Sequence, residues 1–512
     1  MGMLKLNRLL TMERQRRRRQ IEYRNGSIAS QAERKGSVCQ QDENSLGGQI
    51  KGRSEPNLLE DTTMTSRTSL TNRIACVSRA FSRSWRCHPK LEFSEEALGL
   101  NGNQYGKIEK ARDFTSKVDY ILEKHSGIGL KVLKLQIASV YDVKDCCHLD
   151  SWLQIAVKPG IEELNLCLPR LKAKYNFPCS LLSNGTGDSL RYLLLSGCNF
   201  HPTVELGCLI SLTRLQLCMV NITGYEIECL LSNSFALEQL ELKHCSDIIC
   251  LKIPCLQWFS HLEVLDCIRL KVIESKAPNL SSFRFAGRRG VQLLLGETLR
   301  VKRLERICSN GAFYARTELP SSMPNLETLA IYSEIEKVNT PMVPSRFHHL
   351  KFLSISLCGQ SYDYFSLVSF FDASPSLESF FLNVFPGRFP GRMGHASIFE
   401  DSLDLRKMPE HSYNRLKSVN IVNFSSAKSL VELTCHILES TRSLECLTLD
   451  TTDGVTRCSS NKSGKCFLMR KDTLVEAHRA LLAVQTYIVP KVPSTIKLNV
   501  LEPCRRCHVV ED

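Results

Sequence analysis

The chain has 512 residues and a formal charge of +13, with 43% hydrophobic and 23% charged residues. That length exceeds what one compact core usually fills, and the composition excludes wholesale disorder. Most of the charge is local, because residues 1–90 hold 18 Lys and Arg against 8 Asp and Glu and so carry +10 of it.

Residues 1–55 are polar and basic and read as a disordered segment. Within it Arg14, Arg16, Arg17, Arg18 and Arg19 form a cluster of the kind read as a nuclear import signal, the plainer alternative being a solubilising tail. The first ten residues lack the continuous apolar run and cleavage site of a secretory leader. No stretch approaches the roughly 18 apolar residues that span a bilayer, so no membrane partner is expected. The 23 cysteines are spread along a long chain, which fits a reduced setting, in nucleus or cytoplasm. Residues 56–90 regain order, with Ile74, Val77, Phe81 and Trp85 at helical spacing. Ala111 to Lys124, carrying Phe114, Val118, Ile121 and Leu122 on one face, predicts an amphipathic helix.

From Gly129 onward one pattern dominates: apolar, two variable, apolar, one variable, apolar. It reads Leu130-Lys-Val-Leu133-Lys-Leu135, Ile161-Glu-Glu-Leu164-Asn-Leu166 and Leu190-Arg-Tyr-Leu193-Leu-Leu195. It continues at Leu212, Leu237, Leu262, Leu280, Leu326, Leu350, Leu377, Leu416 and Leu444, with one poorly formed copy expected near Leu299 to Leu304. This is the leucine-rich-repeat signature. The alternating part predicts a short strand whose leucines point into a shared core, since no single repeat buries its apolar face alone. Cys198, Asn221, Cys245 and Cys358 fall where such repeats place an inward turn residue. The expected fold class is α/β: a repeat solenoid with parallel strands on its concave face. The repeats are expected over residues 108–383, with a Pro/Gly-rich loop at 384–412 and a tail at 491–512.

Variable residues alternate with the buried leucines and so face outward. One expected row contains Glu163, Tyr192, Arg214, Gln239, Val264 and Phe352; its neighbour contains Glu241, Asp266, Arg284 and Phe381. Charges of both signs interleave with aromatics, which suits a protein partner, whereas a nucleic-acid groove needs a stripe of one sign. Walker, Gly-x-Ser-x-Gly, His-Glu-x-x-His and Gly-x-Gly-x-x-Gly motifs are missing, so binding rather than catalysis is expected, without a cofactor. Cys504-Arg-Arg-Cys507-His508 has metal-ligand spacing at one end only, and no metal is expected there.

Three segments carry a family resemblance. Ile74-Ala-Cys-Val-Ser-Arg-Ala-Phe-Ser-Arg-Ser-Trp85 resembles the second half of an F-box. Val118 to Lys131 resembles the junction before the repeats in plant F-box/LRR proteins, and residues 411–490 resemble the FBD domain of that family, with a domain span of 413–490. The resemblance implies a substrate-recognition subunit of an SCF-type cullin ubiquitin ligase. An F-box region at 56–90, through Leu58, Leu59, Ile74, Val77, Phe81 and Trp85, would dock a Skp-type adaptor, and the repeats would hold a protein substrate. The first half departs from the family pattern: Leu58-Leu-Glu-Asp61 lacks the usual proline, and Thr62 to Thr71 is rich in Thr and Ser, which are poor helix formers. A stand-alone repeat scaffold, or a truncated paralogue without ligase role, therefore stays open as the alternative.

Overall fold

The computed structural model describes residues 87–504, apart from 101–105, 126–128, 138–145, 170–173, 184, 203–205, 288–289, 296–299, 334, 359–361, 386–395, 401–404, 407–411 and 453–468. The arginine cluster at 14–19, the F-box-like positions 58–85 and the Pro/Gly-rich run at 386–394 lie outside the described residues.

One parallel sheet of fifteen strands organises the described chain, and each of its strands pairs with the next member of the same sheet along the chain. Numbering only this sheet, the strands are β1 (Lys90–Phe93), β2 (Val132–Gln136), β3 (Glu163–Cys167), β4 (Tyr192–Ser196), β5 (Arg214–Cys218), β6 (Gln239–Lys243), β7 (His261–Leu265) and β8 (Ser282–Ala286). They continue as β9 (Arg303–Ile307), β10 (Thr328–Ser333), β11 (Phe352–Cys358), β12 (Ser379–Phe385), β13 (Ser418–Val422), β14 (Cys446–Asp450) and β15 (Lys497–Leu501). This is the α/β solenoid that the leucine pattern predicts. The sheet does not break after Asn383: β12 pairs with β13, and β14 with β15 inside the stretch expected as a tail.

Register explains the burial. Leu133, Leu164, Leu193, Leu215, Leu240, Leu262 and Phe283 follow one another across the sheet, and none is more than 1% exposed. The inward row two residues on is equally closed, with Leu166, Leu195, Leu217, Leu242 and Val264 at 1% or less. Because each rung closes its neighbour's apolar face, the core is continuous along the repeat. Val264 thus points inward, against the expected outward placement. The repeat expected to start at Leu262 begins three residues earlier, as Phe259-Ser-His-Leu262-Glu-Val264, with Phe259 fully buried.

The return segments carry short parallel strands of their own, Cys250–Ile253, Val272–Ser275 and Gln292–Leu294, paired in register. Helices take this place elsewhere: α1 (Lys107–Lys124), α2 (Cys146–Ala156), α3 (Gly224–Ser232), α4 (Gly311–Thr317), α5 (Lys428–Ser440) and α6 (Lys471–Ala483). The start of α3 is written in Thr223-x-x-Glu226, where Glu226 N donates to Thr223 Oγ1 and Thr223 N donates to Glu226 Oε2 at 2.7 Å. Cys245 fills an inward turn position, fully buried, with its thiol donating to the carbonyls of Leu217 and Lys243 at 3.6 Å. Cys198 is likewise fully buried.

Candidate protein-interaction face

Opposite the leucines, the first and third residues of each strand form two outward rows that stay mostly half-exposed. The first row runs through Glu163, Tyr192, Arg214, Gln239, His261, Ser282, Arg303, Thr328 and Phe352. The second runs through Glu241, Glu263, Arg284, Glu305, Ala330, Ser354 and Phe381. Eight of the ten residues expected to face outward thus lie in one row or the other. Val264 points inward, and Asp266 lies in neither row. It follows β7 in a left-handed conformation (φ 54°), as Met219 and His244 follow β5 and β6, and its carboxylate lies 3.7 Å from His244 Nδ1. Burial raises its pKa, and the nearby His244 opposes that only in part. His261 and Glu263 occupy the outward places of that rung.

From β5 to β9 six charges on this face pair with one another in a single chain, while Arg303 at the edge of β9 stays exposed outside it. Arg214 contacts Glu241 at 2.6 Å, and Lys243 bridges Glu241 and Glu263 at 2.5 and 2.8 Å. Arg284 then bridges Glu263 and Glu305, at 3.3 and 2.9 Å. The signs alternate strictly, so the chain is neutral. Glu241, Lys243 and Glu263 are each only 6–7% exposed. Burial alone would raise the Glu241 pKa, but hydrogen bonds and charge from Lys243 and Arg214 outweigh it and hold the carboxyl below its ordinary value. His261, beside that chain and 3.1 Å from Ser282 Oγ, has its pKa lowered by burial despite the charges of Glu263 and Glu241. At the head of the chain Arg214 stacks over the Tyr192 ring, 5.1 Å from its centroid, and Tyr192 donates to Gln216 at 2.8 Å.

Beyond β9 the face changes character. The outward residues of β10 to β13 include Thr328, Ala330, Tyr332, Phe352, Ser354, Ser356, Ser379, Phe381, Ser418 and Asn420, and no formal charge stands among them. Tyr332 packs against Phe385 with ring centroids 5.6 Å apart, and Phe352 is 40% exposed.

A further ladder borders the first row. The residue just before each strand donates its N–H to the carbonyl of its counterpart one rung back, from Glu162 to Lys131 and onward to Glu445. At the C-terminal end these residues alternate in sign as Lys302, Glu327, Lys351, Glu378, Lys417 and Glu445. Lys302 and Lys351 both reach Glu327, at 3.0 and 3.4 Å. Such exposed pairs add little energy each, but opposite signs on successive rungs favour this pairing over a slipped one.

Among the described residues, no helix is long and apolar enough to cross a membrane. None of the proteins of curated function matches the sequence. Among solved structures, the chain is similar to an internalin, InlF, from Listeria monocytogenes, at 14% identity and a TM-score of 0.31, covering 66% of this chain and 81% of that one. It is also similar to TLR13 in a structure of its complex with ssRNA13, at 14% identity and a TM-score of 0.31, covering 66% of this chain and 55% of that one. The sequence match that runs along the repeat is to a family description, At1g61320/AtMIF1, LRR domain, and it extends over residues 121–505, from the end of α1 past β15. The chain belongs to that leucine-rich-repeat family.

Proposed function

We propose that this chain is a protein-binding repeat subunit that holds its partner on the outward strand face, and that it serves as the substrate-recognition subunit of an SCF-type cullin ubiquitin ligase. One observation carries the binding role: a continuous fifteen-strand face whose side chains alternate between a closed core and open surface. Such a face offers a rigid, wide platform on which many side chains converge without any rearrangement of the backbone. The ligase role draws its support from the F-box-like run Ile74 to Trp85, the junction Val118 to Lys131 and the FBD-like stretch 413–490. In this reading Leu58, Leu59, Ile74, Val77, Phe81 and Trp85 engage a Skp-type adaptor, the repeats hold the substrate, and other subunits transfer ubiquitin. The mechanism is positional.

A second reading, a stand-alone scaffold or truncated paralogue, is favoured by Leu58-Leu-Glu-Asp61, which lacks the family's proline, and by the Thr/Ser-rich run that follows. Co-purification with a Skp-type adaptor separates the two. Retention by the full chain, lost on removal of residues 1–90, supports the ligase; no retention by the full chain sinks it and leaves the scaffold. Arg14, Arg16, Arg17, Arg18 and Arg19 are proposed as an import signal, tested by whether a fused fluorescent protein loses nuclear accumulation when they become alanine.

A further inference from the structure

The two halves of the outward face leave different chemistry free. Between β5 and β9 six charges already hold one another, three of them more than nine-tenths buried, and only Arg303 at the edge of β9 stands outside the chain. A ligand docking there would have to displace satisfied ion pairs, which costs more than it returns. Among the outward residues named on β10 to β13 no ion pair has to be displaced. Ala330, Ser354, Ser356 and Ser379 form a floor of small side chains, and Phe352 and Phe381 stand on it. The sheet is also widest here: β11 and β12 have seven residues each, against five in most other strands. Four strands about 4.8 Å apart give a platform roughly 15 Å across.

Resting on the reading of the strand face as the binding surface, we propose that this platform seats the partner, and that the partner presents an uncharged polypeptide segment bearing aromatic or long aliphatic side chains. A charged segment would lose its hydration against a floor that supplies no counter-charge. The row that borders these four strands, Glu327, Lys351, Glu378 and Lys417, alternates in sign and sums to zero, so it adds no net field that would draw one in. An apolar side chain gains contact with Phe352 and Phe381, while low serine side chains let a backbone approach and hydrogen-bond to their hydroxyls.

The probe is a randomised twelve-residue peptide library displayed on phage, selected against the purified full chain. Enriched peptides are expected to carry few charges and to be rich in aromatic and aliphatic residues. Their binding should fall at least ten-fold with Ser354→Arg, which plants a charge on the platform and leaves the core untouched, and with Phe352→Ser plus Phe381→Ser. It should be unchanged by Lys134→Ala, on the outward face of β2. Enrichment of charged peptides overturns the proposal, as does binding that survives Ser354→Arg and the double variant. If that surviving binding is lost on Glu305→Ala instead, the strand face is still the binding surface and only this location fails. If no outward-face variant affects it, both readings fail. A library that yields no enriched peptide overturns the platform as a peptide site, while the adaptor test above stands apart from it.

Discussion

Lys243 on β6 lies 2.8 Å from Glu263 on β7, and both side chains are more than nine-tenths shielded from water. The same ammonium holds Glu241 on its other side at 2.5 Å, so one cation serves two buried carboxylates. Replacing it with an uncharged chain of similar length takes the buried partner from both, leaving each carboxylate only the more exposed arginine on its other side. Lys243→Met is therefore expected to cost about 3–5 kcal/mol, the usual penalty for breaking a buried ion pair from one side. Urea unfolding measures it. A loss below about 1 kcal/mol would mean that Arg214 and Arg284 suffice without the lysine.

The same network sets a sign for pH. Glu241 has its carboxyl held below the ordinary value of 4.5, so its contribution to stability is present above that value and is lost as the pH falls through the lower folded value. In Lys243→Met burial acts on Glu241 with less opposition, and its folded carboxyl shifts upward. Once it stands above the ordinary value, its contribution is present below that value and is lost as the pH rises. The stability gap between wild type and Lys243→Met should accordingly narrow from pH 7 to about pH 5. A gap that widens on acidification would contradict the assignment.

Where sequence and structure agree or part, the cause lies in single residues. Hexads with leucine at the inward places, such as Leu237-Glu-Gln-Leu240-Glu-Leu242, are legible because burial demands an apolar side chain every second residue. The rung at β7 was harder, because Leu265 and Cys267 complete a second, false match three residues on, and this shifted Asp266 onto the face in place of Glu263. The rung at β9 is nearly hidden: Val301-Lys-Arg-Leu304-Glu-Arg306 puts an arginine in register with Phe285 and Ile331. Arg306 is tolerated there because its guanidinium lies 5.2 Å from the Phe285 ring centroid and 4.4 Å from that of Tyr314. The pairing of charges across the face was not legible at all. Periodicity tells which residues face outward, whereas partners on adjacent rungs lie 20–27 residues apart and depend on register and side-chain reach.

Arg406 pins the segment before β13. Its guanidinium donates to both carboxylate oxygens of Asp363 at 2.8 Å and to Glu432 Oε2, while its backbone N–H donates to Glu432 Oε1 at 3.0 Å. Glu432 is wholly enclosed. Glu432→Gln keeps the shape and removes the charge, so the segment should loosen more than the fold. The expected result is tryptic cleavage after Arg406 that is several-fold faster than in the wild type, with a small change in melting temperature. Unchanged cleavage would show that Asp363 holds Arg406 without help.

Gly224 opens α3 immediately behind its Thr223 cap, against the strand Cys250–Ile253. A Cβ at this position would stand 1.9 Å from the Cys250 carbonyl oxygen, and that oxygen is backbone, so no side-chain rotation relieves the contact. Gly224→Ala must push the helix start away from the strand, and in doing so it strains the Thr223–Glu226 capping pair. Its cost should be about 1–3 kcal/mol, in the range of overpacked sites. Tyr225→Ala, one residue along at a side chain that is 73% exposed, should change stability by less than about 0.5 kcal/mol. Thermal unfolding of the two variants side by side separates a backbone contact from a general sensitivity of this turn. Equal losses would show that the close approach of α3 to Cys250 is not what holds the rung together.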